Sequence, residues 1–464
     1  MYTLTRTNFN WVNFIGLALT IKLLFPGISA YSFFAILVTI YQFTLLFNSI
    51  GYIIPIRYLF GALMCLQMFL GPAFAYNGLD EYQRGYYKMQ VPEAQYFQYA
   101  FPAVCCFILG LHVTAKKFEG EKLNLKRIAD YGGEQPYLPY YLIGIGFIAS
   151  ILTFTVASEL TFLFTLLASL KYVGLFLLLL GRTELKRGPL ILVFVSIITT
   201  SLGEGMFHDL LIWLIFILCV LAIKYKPSTR LKVIISVSFS LLALTIQQLK
   251  GDYREATWRS GEEAGVETLG EILERKSEKG DLFSKATLAS SNIRINQGFI
   301  VTNILRNVPA REPFANGKEM AQILEAAFLP RFLAPNKLTA GSRELFVKYS
   351  GMPLKKGTSM GLSSLGDGYI NYGIAGGCLF MFILGFIYSQ VLTQLYKYSS
   401  RFPMLLLFSP LIFYYPIRPD CELQTSFGHL VKATFLIFFL VYFFNFIFES
   451  RGNGRKRIAA SPGA

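Results

Sequence analysis

Long hydrophobic segments and short polar connections alternate along this chain, and one long polar stretch, residues 250–368, interrupts the alternation. A segment of about 20 apolar residues is long enough to cross the hydrocarbon core of a bilayer as a helix. The pattern predicts twelve such spans, nine before the polar stretch and three after it. The predicted spans are residues 11–26, 29–50, 52–76, 94–115, 138–158, 160–181, 189–203, 206–224, 232–249, 369–394, 403–416 and 428–448.

Apolar residues within the polar stretch recur at intervals of three and four, which is the period of a helix. They form three runs: Val266, Leu269, Ile272 and Leu273; then Ile293, Phe299, Ile300, Ile304 and Leu305; then Met320, Ile323, Leu324 and Phe328. We expect the second helix to end near Pro309 and the third to end at Pro330. Amphipathic helices beside a membrane often lie in its interface.

These patterns predict an all-α polytopic membrane protein with four regions. An N-terminal membrane bundle occupies 1–249, a large helical loop 250–368, C-terminal membrane helices 369–449, and a basic tail 450–464. Gly373 and Gly377 open the tenth span with a small-residue spacing that favours close helix packing.

Composition agrees with this class of protein. Of 464 residues, 54% are hydrophobic and only 15% are charged, whereas about a quarter of the residues of a soluble domain are charged. Mean hydropathy is +0.48. The six cysteines form no CxxC pair and no cluster with histidine, so the sequence indicates neither a zinc site nor a disulfide framework.

The net charge of +15 would suggest a nucleic-acid partner in a soluble protein. Here much of it lies in short connections on one side of the predicted bundle. Basic residues in the short loops of membrane proteins mark the cytoplasmic side. The residues concerned are Lys116, Lys117, Lys122, Lys126, Arg127, Arg182, Lys186, Arg187, Lys224, Lys226, Arg230, Lys232, Lys397, Arg401, Arg451, Arg455, Lys456 and Arg457. We therefore expect cytoplasmic termini, an uncleaved first helix, an extracytoplasmic polar stretch and no nucleic-acid partner.

Cations accumulate in the polar stretch and at its two junctions with the membrane helices. Arginine grips phosphate oxygens with two parallel hydrogen bonds, and several cations must converge to hold a diphosphate. A single one of these side chains could equally contact a lipid headgroup. The set as a whole favours an anion site. Its candidate members are Lys250, Arg254, Arg294, Arg331, Lys337 and Arg418.

Four residues could exchange a proton with a substrate: Glu204, His208, Asp367 and Asp420. Ionisable groups at the ends of spans are costly and usually functional. Glu204 and Asp367 could instead cap the helices that begin beside them. Three aromatic residues near the cations, Tyr253, Trp258 and Tyr369, could stack on sugar rings or simply pack. No DxD, Walker A, HExxH or GxSxG motif occurs.

Four short motifs, in this order, carry a resemblance. They are QxxKxxYR (Gln247, Lys250, Tyr253, Arg254), LPRxxxPxK (Leu329, Pro330, Arg331, Pro335, Lys337), GDGYINYG (Gly366 to Gly373) and RPD (Arg418, Pro419, Asp420). Together the motifs make residues 250–420 similar to the Wzy-type O-antigen or exopolysaccharide repeat-unit polymerases. Relatives often carry glutamate where this chain has Asp367.

The resemblance implies a GT-C-like plan and a bacterial inner-membrane glycosyltransferase that needs no metal or other cofactor. It would join lipid-linked repeat units on the periplasmic face. Its partners would be an undecaprenyl-diphosphate-linked donor and acceptor, the lipid bilayer, a chain-length regulator and a flippase.

Within that scheme Lys250, Arg254, Arg331 and Arg418 would hold the diphosphate, and Arg294 and Lys337 would support them. Glu204 or His208, before Asp367 or Asp420, would take the acceptor proton. An O-antigen ligase is the nearest alternative. A polysaccharide transporter or flippase, and a non-catalytic scaffold, are the others.

Overall fold

The structure, a computed structural model, describes residues 9–115, 125–156, 158–181, 187–205, 207–259, 265–278, 284–329, 338, 341–355 and 360–443. It is built from helices, and the described residues contain no strand. Eleven helices precede or enter the polar stretch: α1 (Trp11–Leu24), α2 (Ala30–Ser49), α3 (Ile56–Tyr76), α4 (Glu93–His112), α5 (Leu125–Glu134), α6 (Leu138–Leu152), α7 (Ser158–Ala168), α8 (Leu170–Leu180), α9 (Arg187–Glu204), α10 (Phe207–Tyr225) and α11 (Thr229–Arg259).

Five helices lie within the polar stretch and two long helices follow. They are α12 (Val266–Glu278), α13 (Lys285–Ile295), α14 (Gly298–Asn307), α15 (Lys318–Phe328), α16 (Arg343–Ser350), α17 (Ser363–Ser399) and α18 (Leu423–Phe443). A short segment, Pro403–Ile412, connects α17 to α18. The first and third predicted loop helices are confirmed as α12 and α15. The second prediction was wrong in one respect, because Asn296 and Gln297 divide it into α13 and α14.

Eight helices in the described part of the chain are long and apolar enough to cross a membrane. The prediction of an all-helical membrane protein is thereby confirmed at this coarser level. The other four predicted spans coincide with shorter or bent helices: α1, the pair α5 and α6 bent by 83°, the apolar part of α9, and Pro403–Ile412. The count of twelve spans stays a prediction.

Neither boundary of the polar stretch coincides with the end of a helix. Helix α11 continues through Lys250 to Arg259, and α17 begins at Ser363, before the predicted boundary at 368. The 31 residues of α11 extend roughly 46 Å, which exceeds a hydrocarbon core of about 30 Å. The last turns of α11 therefore carry polar residues beyond the apolar part of the same helix.

Among the helices that the structure describes, α4 and α17 make the most extensive contact, and glycines make their approach possible. A Cβ atom added at Gly110 would lie 2.2 Å from the carbonyl oxygen of Phe382, and one at Gly385 would lie 2.2 Å from that of Phe107. Gly377 packs in the same way against the Tyr99 ring, where a Cβ would lie 2.8 Å from the hydroxyl oxygen. Small residues allow such backbone contact between membrane helices.

Side chains tie the helices of the polar stretch to one another. The amide of Asn307, at the end of α14, donates to the carbonyl oxygens of Lys348 and Tyr349 on α16. The Tyr349 hydroxyl donates to Glu319 Oε1 on α15 over 2.7 Å. Asn292 on α13 donates to the carbonyl oxygen of Gly71 in α3, 3.0 Å away. The polar helices are thus fastened to each other and to the N-terminal bundle.

We expect Gly110→Ala to lower the free energy of unfolding of the detergent-purified protein by about 1–3 kcal/mol, because the added methyl group must push apart two backbones. Gly144→Ala is the matched control, since no atom lies within 4 Å of a Cβ at that position. Thermal unfolding followed by intrinsic fluorescence measures both. Equal unfolding temperatures for the two variants would contradict the close pairing of α4 and α17.

Candidate functional site

Three distant parts of the chain meet around the C-terminal end of α11. Lys250 lies on that end, and its ammonium group interacts electrostatically with Arg254, Arg294, Arg418 and Asp420. Arg254 is one turn further along the same helix, Arg294 is in the last turn of α13, and the other two lie in the turn before α18. We call Lys250, Arg254, Arg294 and Arg418 the cation cluster. The structure brings together four of the six predicted anion-binding residues.

The spacing of Lys250 and Arg254 places both side chains on one face of α11, because residues four apart are neighbours on a helix. Like charges at this spacing destabilise a helix. Arg294 adds a third cation that interacts with Arg254. The Arg254 Nε atom donates to the carbonyl oxygen of Gly205 over 2.9 Å, which orients the guanidinium group. A contact to the neighbouring backbone therefore holds the Arg254 side chain in place against the repulsion within the cluster.

Packing on the other side of α11 fixes this end of the helix. The Tyr253 ring is fully buried, contacts the Phe207 ring at 5.5 Å, and its hydroxyl donates to the carbonyl oxygen of Leu202. Lys276 on α12 forms an ion pair with Asp252 at 2.9 Å and donates to the carbonyl oxygen of Gln248. These contacts join α9, α10 and α12 to the segment that carries the cations.

His208 and Asp209 begin α10 beside the cation cluster. His208 Nε2 contacts Asp209 Oδ1, and both side chains are partly exposed. The Asp209 carboxylate also interacts with Tyr414, Tyr172 and Arg418. The Tyr172, Trp213 and Tyr414 rings form a stack, with centroids 3.8 and 5.2 Å apart, and the two tyrosines of the stack adjoin this carboxylate.

Arg418 and Asp420 supply the opposite wall. The Arg418 Nη2 atom lies 3.2 Å from Asp420 Oδ2, and the guanidinium group lies 5.4 Å from the centre of the Tyr415 ring. Burial by itself would raise the pKa of the Asp420 carboxyl, but the charge and the hydrogen bond of Arg418 outweigh it, so the pKa is lowered from its ordinary value. Asp420 is therefore an ionised partner of the cluster near neutral pH.

The Asp367 side chain is buried and contacts the backbone of another helix. It is 6% exposed, and its Oδ2 atom accepts a hydrogen bond from the backbone N–H of Leu423 over 2.9 Å. Leu423 is the first residue of α18, so Asp367 satisfies a donor at the start of that helix. The sequence suggested that Asp367 could cap its own helix, and that detail was wrong, because the carboxylate caps a different one.

Two of the three predicted sugar-stacking residues are packed in the protein. Tyr253 is fully buried, and Tyr369 is 7% exposed between the Tyr99 and Phe314 rings, at 5.1 and 5.6 Å. The Tyr369 hydroxyl donates to the carbonyl oxygen of Val308. In these positions the rings contact other side chains instead of facing a ligand.

Four predicted site residues are not described at the level of their side chains. Arg331 and Lys337 lie outside the described residues. Glu204 and Trp258 are placed in α9 and α11, but their side chains lie outside the description. Gly205, which follows Glu204, accepts the Arg254 hydrogen bond, so the backbone of this turn adjoins the cation cluster.

Sequence reasoning missed Tyr414 and the Asp252–Lys276 pair. Tyr414 stands four residues before Arg418 in an apolar run, and nothing in its local pattern distinguishes it from a core aromatic. Asp252 and Lys276 lie 24 positions apart, and only the packing of α12 against α11 pairs them. Within the described residues, no group of three or more His, Cys, Asp or Glu side chains could hold a metal ion.

The model of a family described as a domain of unknown function, DUF8712, matches residues 53–449. No curated protein and no solved structure matches the chain.

The ionised Asp420 gives a pH-dependent prediction. A carboxyl group whose pKa is lowered by folding stabilises the fold above its unfolded pKa and loses that contribution as pH falls through the folded pKa. The wild type should therefore unfold at a higher temperature than Asp420→Asn at about pH 7, and the difference should shrink below about pH 4. Thermal unfolding in detergent across this range measures it.

Glu271→Gln, at an exposed carboxyl on α12, is the control and should show no such difference. A gap between the wild type and Asp420→Asn that stays constant from neutral to acid pH would refute the ion pair as the source of stability.

Proposed function

The chain belongs to the DUF8712 family, and we propose that it is a membrane glycosyltransferase that joins lipid-diphosphate-linked oligosaccharide repeat units. The convergence of Lys250, Arg254, Arg294 and Arg418 carries this proposal. A polymerase of this kind must release a lipid diphosphate, and a set of cations fixed in advance stabilises the charge that develops on the leaving group. The order of motifs shared with Wzy-type polymerases supports the same reaction class.

Charge balance supports an anionic ligand at this position. The cluster brings four cationic side chains to one place, and Asp209 and Asp420 supply two carboxylates near them. The excess of positive charge matches a diphosphate, which carries two or more negative charges. Arg254 and Arg418 offer planar guanidinium groups that can bind phosphate oxygens in pairs, and Lys250, which interacts with both, offers a point charge.

His208 is the residue we assign to proton removal. Its Nε2 atom contacts Asp209, which leaves Nδ1 to accept a proton. In the proposed step the acceptor hydroxyl oxygen forms a bond to the anomeric carbon of the donor. The bond from that carbon to the diphosphate oxygen breaks, its electron pair stays on the diphosphate, and the hydroxyl proton passes to His208.

Asp367 and Asp420 are weaker candidates for this role, because one accepts the Leu423 N–H and the other is paired with Arg418. In the proposed orientation the site lies on the periplasmic side of the bacterial inner membrane. Both termini then lie in the cytoplasm.

Arg254→Ala should abolish polymer, with at least about a hundredfold loss of product, because it removes a cation that stabilises the charge on the departing diphosphate. Arg254→Lys should restore little, since lysine keeps the charge but lacks the planar fork. The length of the glycan ladder from a complemented deletion strain measures both, with membrane insertion checked by immunoblot.

Arg275→Ala is the matched control, because Arg275 is an exposed arginine of α12 outside the cation cluster. An unchanged ladder for Arg254→Ala ends the assignment. Accumulation of unlinked polymer in the deletion strain would instead favour a ligase.

His208→Gln should reduce turnover about 10²–10⁴-fold while leaving donor binding intact, because glutamine keeps hydrogen-bonding capacity but cannot accept the proton. Turnover is measured on purified protein with a lipid-linked repeat unit, and binding by retention of that lipid on the immobilised protein. Loss of binding and turnover together would show that His208 holds the substrate or the fold. Unchanged turnover would remove it from the reaction.

A further inference from the structure

An open surface cavity of about 440 Å³ lies where helix α17 breaks, apart from the cation cluster. Its walls come from the connection between α14 and α15 and from the two parts of α17. The lining residues are Phe314, Asn316, Asn371, Tyr372, Gly373 and Gly376. None of the six is charged.

The residue at which α17 breaks, Gly373, is part of the cavity wall. Gly373 has φ 67° and ψ −158°, a backbone conformation that glycine adopts readily and residues with a side chain essentially do not. It separates the first ten residues of α17 from the long apolar part that follows. At the break the carbonyl oxygen of Ile370 accepts a hydrogen bond from the N–H of Ala315 over 2.9 Å. A backbone hydrogen bond therefore joins the helix near its break to the connection between α14 and α15.

The lining presents a flat ring and amide groups. Tyr372 is 43% exposed, and its ring packs over Gly317, where a Cβ would lie 3.5 Å from the ring. Asn316 is exposed at the rim. Asn371 is buried and used for structure, since its Oδ1 accepts from Met320 N–H and its Nδ2 donates to the carbonyl oxygen of Asp367. Tyr372 and Asn316 are thus the two side chains placed to meet a ligand.

This chemistry fits a neutral sugar ring. An aromatic face covers the apolar C–H face of a sugar, and a side-chain amide both donates to and accepts from hydroxyl groups. Small-molecule sites in proteins are concave, largely apolar and aromatic, with a few polar groups that set orientation. A lipid phosphate would instead call for cationic side chains, and the lining has none.

We propose that this cavity binds one uncharged sugar residue, with Tyr372 stacked on its ring and Asn316 bonded to its hydroxyls. This proposal rests on the proposed function: the cavity is a subsite for the glycan whose diphosphate end occupies the cation cluster. Asp367 lies five residues, or about 8 Å of helix, before Tyr372 and touches the start of α18, which follows Asp420 by three residues. One helix therefore runs from the cluster side of the molecule to the cavity.

Saturation-transfer NMR on the full-length protein in detergent tests the proposal. The probes are the methyl glycosides of glucose, galactose, N-acetylglucosamine and rhamnose. At least one should give a signal in the wild type and in Tyr372→Phe, which keeps the ring. The dissociation constant of that glycoside, from titration of the signal, should rise about tenfold in Tyr372→Ala. Asn316→Ala should also weaken binding.

Tyr398→Ala is the matched control, because Tyr398 is an equally exposed tyrosine at the other end of α17. No signal from any glycoside, or a signal that Tyr372→Ala leaves unchanged, overturns the proposal. The proposal also fails if phosphatidylglycerol in micelles displaces the signal and free sugar does not, because the cavity would then be a lipid headgroup site.

Arg254→Ala separates this proposal from the function on which it rests. If Arg254→Ala abolishes polymer and the Tyr372-dependent signal is absent, the sugar subsite fails and the polymerase assignment stands. If the ladder of Arg254→Ala is unchanged while the Tyr372-dependent signal is present, the chain binds sugar at the cavity but the polymerase assignment fails.

Discussion

Mutual repulsion of cations at the end of α11 is the constraint on which the rest of the site depends. Two like charges about 6 Å apart repel by roughly 3 kcal/mol at an effective dielectric constant near 20. Lys250 interacts with three arginines and one nearby carboxylate, so the fold must restrain these side chains by other contacts. The Gly205 carbonyl oxygen, the Asp420 carboxylate and the Lys276 bridge between α11 and α12 provide that restraint. An anion entering the cluster would relieve the repulsion that remains.

A second buried cation shows how the same fold treats a charge that needs no ligand. Lys171 is 6% exposed in α8, and its ammonium group donates to the hydroxyls of Ser150 and Ser196 over 3.3 and 3.0 Å. The Phe147 and Tyr172 rings lie within 5.4 Å of it. Hydroxyls and ring faces satisfy this single charge locally. The cation cluster differs because its members face one another, which is the arrangement expected where an external anion completes the site.

Much of the fold was predictable because hydrophobic length and period are local properties of the sequence. The long apolar segments and the helices α12 and α15 follow directly from them. The continuation of α11 through Lys250 was not foreseen, because the change from apolar to polar residues looks like the end of a span. It is instead the point where one helix leaves the apolar layer. The division between α13 and α14 depends on Asn296, which packs against Gly71 of a distant helix.

The site was predictable in part for the same reason. Charged residues at the ends of spans stand out in a sequence, and four of the predicted cations do meet around α11. Aromatic residues carry no such signal. Tyr253 and Tyr369 lie beside polar motifs, yet both are buried by contacts with residues far away in the chain. Tyr372, three positions after Tyr369, is exposed and directly precedes the residue at which the helix breaks.

The two parts of α17 therefore have different physical roles. The part before Gly373 is held by Asp367 at the start of α18 and by Tyr99, whose hydroxyl donates to the carbonyl oxygen of Leu365. The part after Gly373 is held by backbone contact with α4 at Gly385. A straight helix could not satisfy both sets of contacts and also place Tyr372 against the turn at Gly317. Gly373 is the position where these requirements are reconciled, because glycine adopts this backbone conformation without the steric penalty that a side chain would bring.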